Sequence, residues 1–549
     1  MQRLTGLDAT FLYMETPTMH MHVASTCVFD PTTVPGGYSF EKVRELVENR
    51  LPLLPPFRRR LVEVPFSLHH PLWIEDPDFD LDYHVRRAAL PAPGGDRELA
   101  EFAAEVMGRP LDRTKPLWEM WVVEGLEHGY IATVSKVHHS AIDGVSGAEL
   151  TVNLLDLSPE PVVVPPPDPP WQPDRIPSDA ELVGYALQSL SRQPVAAAKA
   201  VRRTAEMALN LRRRNRQPDV TPPPSLFAAP RTSLNVSVTP HRRFTFAQLS
   251  LEDIKLVKNN AGATVNDVVL AICAGALRTY LAARNEHPTD DLVAMVPISV
   301  RAEDEQGAMG NRVSGMLTSL ATTIDDPVER LHAISEGTRR AKDQDKAIGA
   351  DTLSNWAEFA APALAARAAR LVSTLKVVDR VRPLFNVVIS NVPGPNFPLY
   401  SAGARMVAMY PMGPITDGVA LNITVMSYMG QVGFGLVACR EVAPDLDDLA
   451  TYLRESLDEL VKACGAPGPD EAASPPPAEV VAVESAPVAP APPAEAAPAP
   501  PAEAAPVAPA EAAPVATAPA PGTPGPTATR PSGAKSKSGA KKKAPAPKK

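Results

Sequence analysis

Two rhythms of apolar and polar positions organise the first 157 residues. FEKVRELVENRLPLLPPFRRRL has apolar side chains at helical spacing and then runs into prolines, which predicts an amphipathic helix ending near them. PLWEMWVVEGLEHGYIATVSKVHH predicts two strands joined by a turn at Glu127, His128 and Gly129. In the second strand, a period of two puts Ile131, Thr133, Ser135, Val137 and His139 on one face. GVSGAELTVNLLDL follows as a predicted helix, with Leu150, Leu154 and Leu157 at helical spacing.

Residues 241–465 repeat this mixture. ATVNDVVLAICAGALRTYLA predicts a helix, LVAMVPISVR, LFNVVISNVPGP, LNITVMSYMG and QVGFGLVACR predict strands, and LDDLATYLRESLDELVKA predicts a closing amphipathic helix. Between the two blocks, residues 158–240 form a connector. PEPVVVPPPDPPWQP is too proline-rich for a helix or a central strand and suits polyproline II. The apolar, basic stretch after it reads as a helical pair interrupted by Pro194, covering a domain face or lying on anionic lipid.

Composition sharpens these boundaries. Of 62 prolines in 549 residues, 22 fall in residues 466–549 and 16 in residues 158–240. The last segment repeats PAEAAPVAP-like units without an aromatic, too little apolar surface to offset ordering entropy, so it is expected to be disordered. Its last stretch, residues 530–549, carries one Arg and seven Lys with no acid, so residues 1–529 sum to −17 against a net charge of −9. An acidic body argues against nucleic acid as the main partner. Four scattered cysteines without a CxxC pair point away from a disulfide framework or structural zinc and towards a reducing compartment. The N-terminus lacks the layout of a secretory signal, and no uninterrupted apolar run approaches a membrane span, so a soluble or peripherally bound chain is expected.

The strongest chemical signal is HHSAIDG, His138 to Gly144, at the end of a predicted strand. Adjacent strand histidines point to opposite faces, so they do not readily chelate one metal; one ring can face a cleft while the other packs behind it. With an unperturbed pKa of about 6.5, a neutral imidazole can take a proton from an alcohol as its oxygen attacks a thioester. Asp143 follows at a strand-to-helix corner, where Gly144 permits a tight turn. Its carboxylate could cap the helix, anchor an ion pair or act as a relay.

With this motif the chain resembles the CoA-dependent acyltransferase superfamily, whose signature is HHxxxDG. Further strings resemble the bacterial wax ester synthase/diacylglycerol acyltransferases: LTGLDATFLYMET, PLDRTKPLW, TVNDVVLA, VPISVR and SNVPGP, together covering about residues 1–465. The resemblance implies an α/β (α+β) fold of two chloramphenicol-acetyltransferase-like halves, residues 1–157 and 241–465. They would be joined by the crossover linker, with an active-site tunnel between them and a disordered tail. It also implies transfer of a long-chain acyl group from acyl-CoA to diacylglycerol or to long-chain alcohols, without metal, cofactor or acyl-enzyme. By motif, His139 would be the general base, His138 would support the strand end, and Asp143 would be structural, paired with Arg301. Asn266 and Asp267 match the family's ND motif, and Pro116, Leu117 and Trp118 its PLW motif, both near the cleft. Asn266 and Thr424 are candidate donors to the developing oxyanion.

Each assignment competes with a plainer one. Asn266 and Asp267 suit a helix cap, Trp118 suits core packing, and Asn391–Pro395 suits a turn. For the whole chain the competing functions are a condensation-type or polyketide-associated acyltransferase fed by a carrier protein, and a non-catalytic lipid-binding protein. The expected location is cytoplasmic, at the inner face of the plasma membrane or on lipid droplets, where the Lys-rich end could meet an anionic surface.

Overall fold

The computed structural model describes residues 2–142, 153–165, 171–189, 229–299, 313–348, 370–371 and 373–465. All of these lie in one compact unit, Met1–Ser474; a second unit, Pro475–Lys549, lies outside the described residues. The N-terminal part supplies strands β1 (Gln2–Arg3), β2 (His22–Asp30), β3 (Arg59–Val62), β4 (Leu72–Glu75), β5 (Val85–Ala89), β6 (Trp118–Glu124) and β7 (Ile131–His138). The C-terminal part supplies β8 (Arg242–Ser250), β9 (Val293–Ser299), β10 (Val313–Ser319), β11 (Val387–Val392), β12 (Tyr400–Ser401), β13 (Ala404–Met412), β14 (Leu421–Tyr428) and β15 (Gln431–Cys439).

These strands build two six-stranded sheets, ordered β12-β13-β2-β7-β6-β5 and β10-β9-β11-β14-β15-β8, and a small β1-β4-β3 sheet. The fold is therefore the mixed α/β arrangement of two sheet-bearing halves. The first sheet borrows from the second half: β13 pairs with β2 from Arg405↔Asp30 to Met412↔Ala24. Where β13 crosses over β15, a side chain at Gly433 or Gly435 would run into the carbonyl oxygens of Met409 and Pro411. Glycine at those two positions is what allows the strands to approach so closely.

Buried helices explain the rest of the layering. Val265–Ala283 is apolar around most of its circumference and lies at the centre of the C-terminal core, against Leu436, Leu453 and Leu331. By length and hydropathy this 19-residue helix could cross a bilayer, so the expectation from uninterrupted runs needs correcting. Its 18-residue apolar window is 72% buried inside the protein, as expected for a helix enclosed by a core. In the N-terminal half, helix Phe40–Arg50 stops before Pro52, and β6 and β7 join through a short turn at Glu127–Gly129. The predicted helix after HHSAIDG falls largely outside the described residues, as does most of the basic part of the connector. Residues 179–189 are helical and bury Leu182 and Ala186. All four cysteines are free thiols.

Candidate active site

Strand β7 delivers two histidines to one end of the first sheet. His138 is its last residue and faces His22 of β2 across the ladder. Backbone hydrogen bonds fix the exit: His138 N–H donates to the Leu117 carbonyl (2.9 Å) and His139 N–H to the Met21 carbonyl (2.7 Å). The chain then turns, and the Ser140 amide donates to His138 Nδ1 at 3.0 Å. In the neutral ring this assigns the proton to Nε2, which points at Glu15 Oε1 from 3.3 Å.

Glu15 is the anionic centre of this cluster. It lies just beyond helix Gly6–Met14, whose N-terminus is capped by the Thr5 hydroxyl accepting from the Asp8 amide. Arg113 donates to Glu15 Oε2 through Nη2 (2.6 Å) and Nε (3.2 Å), and His22 Nε2 stands 3.5 Å from Oε1. Burial works against the charged carboxylate, but His138 and the Arg113 guanidinium outweigh it and hold the pKa down to about 2. The rings around it favour neutrality. His22, fully buried, is pushed well below its ordinary value by burial and then by Lys136; burial and then Arg242 take His20 to about 4. His20 stacks on His22 at 5.4 Å, and His22 meets His138 edge-on at 5.8 Å.

His139 is half-buried, and its ring stacks on Phe11, with centroids 4.1 Å apart and planes 11° apart. Helix Gly6–Met14 thus carries the ring that orients His139 and leads directly to the carboxylate that faces His138. An oriented, partly open imidazole beside a buried fixed charge can exchange protons with a bound hydroxyl. Among the described residues no group of His, Cys, Asp and Glu is arranged to hold a metal ion.

The other sequence candidates fall into three groups. Asp143, Gly144 and Arg301 lie outside the described residues. Pro116, Leu117 and Trp118 are buried, and the Trp118 indole donates to the Phe57 carbonyl (2.8 Å) between the rings of Phe57 and His84. They are core residues, and they meet the site through the Leu117 carbonyl that receives the His138 amide. Asn266 and Asp267 open helix Val265–Ala283. Asp267 closes a capping box with Thr264 and accepts from the hydroxyls of Thr338 (2.6 Å) and Ser335 (3.1 Å), so its carboxylate is occupied as a cap. The Asn391 amide reaches Asn266 Oδ1 at 3.5 Å, bringing the ND and NVPGP strings together. The Thr424 hydroxyl donates to Asn422 Oδ1 at 2.8 Å.

Sequence reasoning did not pick out Glu15, Phe11, His22 or Arg113 individually. Their partners are far away in the chain (98 residues separate Arg113 from Glu15), and no local period marks them.

Two sheet-bearing α/β halves, with a histidine pair at the end of a central strand, define a two-domain acyltransferase. The catalytic-domain pattern of the wax ester synthase/diacylglycerol acyltransferases matches residues 4–269, and the family's C-terminal domain matches residues 309–461. A Mycobacterium tuberculosis protein that carries the name diacylglycerol O-acyltransferase is 38% identical over 474 residues, covering 86% of this chain and 92% of that one. A Mycobacterium bovis protein of the same name is 40% identical over 466 residues, covering 83% and 98%. Among solved structures, the wax ester synthase/diacylglycerol acyltransferase of Marinobacter aquaeolei VT8 superposes with a TM-score of 0.59 at 33% identity, covering 84% of this chain and all of that one. The chain belongs to the wax ester synthase/diacylglycerol acyltransferase family. Membership implies an acyl-CoA donor and a lipid acceptor.

Proposed function

We propose that the protein transfers a long-chain acyl group from acyl-CoA to the hydroxyl of diacylglycerol, giving triacylglycerol, and to long-chain alcohols, giving wax esters. The observation that carries this reading is the half-buried His139 ring, stacked on Phe11 at the end of β7. In the proposed reaction, His139 takes the hydroxyl proton as the alcohol oxygen attacks the thioester carbonyl. The tetrahedral intermediate collapses, the ester forms, and the CoA thiolate leaves with the proton returned by the imidazolium. Base assistance of this kind is worth about 10² to 10⁴ in rate. The Glu15 carboxylate, held negative within the same cluster, favours the transient imidazolium. No cofactor takes part; acyl-CoA is a substrate.

The test supplies labelled palmitoyl-CoA with diacylglycerol and hexadecanol in competition. Labelled triacylglycerol is the expected main product, with wax ester beside it. Transfer only from a carrier-protein thioester would favour the condensation-type reading, and unconsumed palmitoyl-CoA would favour a lipid-binding protein.

The same reading puts the protein in the cytoplasm, peripherally bound to the inner face of the plasma membrane or to lipid droplets, where the acceptor partitions. The side chain of Phe66, 88% exposed, and that of Leu187, 58% exposed, support contact with lipid. Deleting residues 466–549 should leave turnover of soluble substrates intact and reduce lipid association; unchanged partition would remove the tail from this role.

A further inference from the structure

We propose that the cleft between helix Asp96–Gly108, strand β8 and helix Leu446–Gly465 binds the 3′-phosphorylated ADP end of acyl-CoA, an inference that rests on the acyl-CoA reading above. The cleft has a volume of about 840 Å³, within the range of small-molecule sites. Six arginines line it against four carboxylates, Asp96, Glu101, Glu105 and Asp447.

Four of those arginines are already neutralised: Arg97 by Glu101, Arg109 by Glu105, Arg243 by Asp447 and Arg440 by Glu441. Arg242 and Arg454 form no ion pair among the described residues. Arg242 is only 6% exposed, and its guanidinium donates to the carbonyls of Thr239, His241 (3.3 Å) and Thr18 (2.7 Å). This buried cation hydrogen-bonds only neutral carbonyls, with Glu441 and Asp417 acting on it without an ion pair, and a phosphate oxygen would add a charge-assisted bond. Exposed Arg454 donates to Ala450 of its own helix and is free to swing towards a second phosphate.

Phe244 and Phe246, 3% and 9% exposed, form an apolar floor to the cleft, Phe246 stacked on Tyr410 at 4.1 Å, and Thr451 lines it too. Arginines above an apolar aromatic floor suit a phosphorylated nucleoside better than a simple anion.

The cleft also lies next to the site. Arg242 holds the Thr18 carbonyl, two residues from His20. The segment Glu15–His22 therefore has the cleft on one side and the Glu15–His138 cluster on the other. A nucleotide anchored here leaves the pantetheine arm to lead the thioester inwards.

The experiment titrates adenosine 3′,5′-bisphosphate into the full chain by calorimetry, which needs no turnover. One-to-one binding is expected, weakened about tenfold or more in Arg454→Glu through loss and reversal of a phosphate contact. In kinetics, the selectivity for palmitoyl-CoA over palmitoyl-pantetheine should fall by a similar factor, through KM rather than kcat. Arg242→Gln should do the same if it folds; exposed Arg454 keeps the test decisive if it does not. Normal palmitoyl-CoA turnover with unaltered selectivity in Arg454→Glu would overturn the proposal. So would binding of phosphatidylglycerol vesicles, but not the nucleotide, that depends on Arg454. Nucleotide binding without acyl transfer would instead sink the reaction proposed above and leave the cleft as a nucleotide site.

Discussion

The end of β7 and the start of helix Val265–Ala283 both gather buried polar side chains, and they use them in opposite ways. At β7, Glu15 is held ionised among His22, His138 and Arg113, and the neighbouring His139 ring stays partly open. At the helix, the Asp267 carboxylate is consumed by Thr264, Ser335 and Thr338, closing a terminus and tying two helices together. The first lies beside a half-buried imidazole, and the second spends its hydrogen-bonding capacity on the fold. Matching a family motif therefore does not assign a residue to the chemistry: HH and ND both match, yet the Asp267 carboxylate of ND is occupied as a helix cap while the His139 ring of HH is half-buried.

Substitutions on each side sharpen or break that contrast. His139→Ala should lower acyl transfer by about 10² or more with the melting transition kept; near-normal turnover in the folded variant breaks the assignment. Asp267→Ala should cost about 2 kcal/mol of stability in denaturant melts, from a lost cap and buried charge-assisted bonds. Turnover per folded molecule should stay within a few-fold, and a loss matching that of His139→Ala would move Asp267 into the site.

Glu15→Gln keeps the shape and removes the charge, so turnover should drop on the order of tenfold, equivalent to about 1.4 kcal/mol. The pH dependence separates Glu15 from the histidines. Its depressed pKa adds stability above the ordinary value of 4.5 that disappears as pH falls through about 2. His20, His69 and His84, each lowered to about 4, mainly by burial, act earlier. The unfolded chain protonates them near 6.5, so stability falls as pH drops from 6.5 to 4. Thermal melts from pH 7 to pH 2 should show both losses in the wild type, with the lower one reduced in Glu15→Gln. Trp118→Phe should have the smallest effect, about 1 kcal/mol for the hydrogen bond to Phe57.

Much of the fold was legible because its signals are local. The alternation in Ile131–His138, the turn at Glu127–Gly129 and the apolar faces of Val265–Ala283 and Leu446–Gly465 are all written within a few turns of chain. The crossing of β13 was not legible, since a buried strand gives the same pattern whichever sheet it joins. The membrane-length character of Val265–Ala283 was hidden from a search for unbroken runs by Asn266, Asp267 and Arg278. HHSAIDG announced the site, but Glu15 and Phe11 are separated from His138 and His139 by more than a hundred residues, and only the folded chain brings them together. Trp118 suited core packing better than a substrate contact, and its stacking between Phe57 and His84 puts it in the core.

In the proposed reaction His139 moves a proton rather than forming a bond to the acyl carbon. Initial rates measured with palmitoyl-CoA and diacylglycerol varied together test this most directly. Intersecting double-reciprocal lines, the pattern of a ternary complex in which the alcohol attacks the thioester itself, are predicted. Parallel lines, with labelled acyl chain retained on the protein in the absence of acceptor, would contradict it.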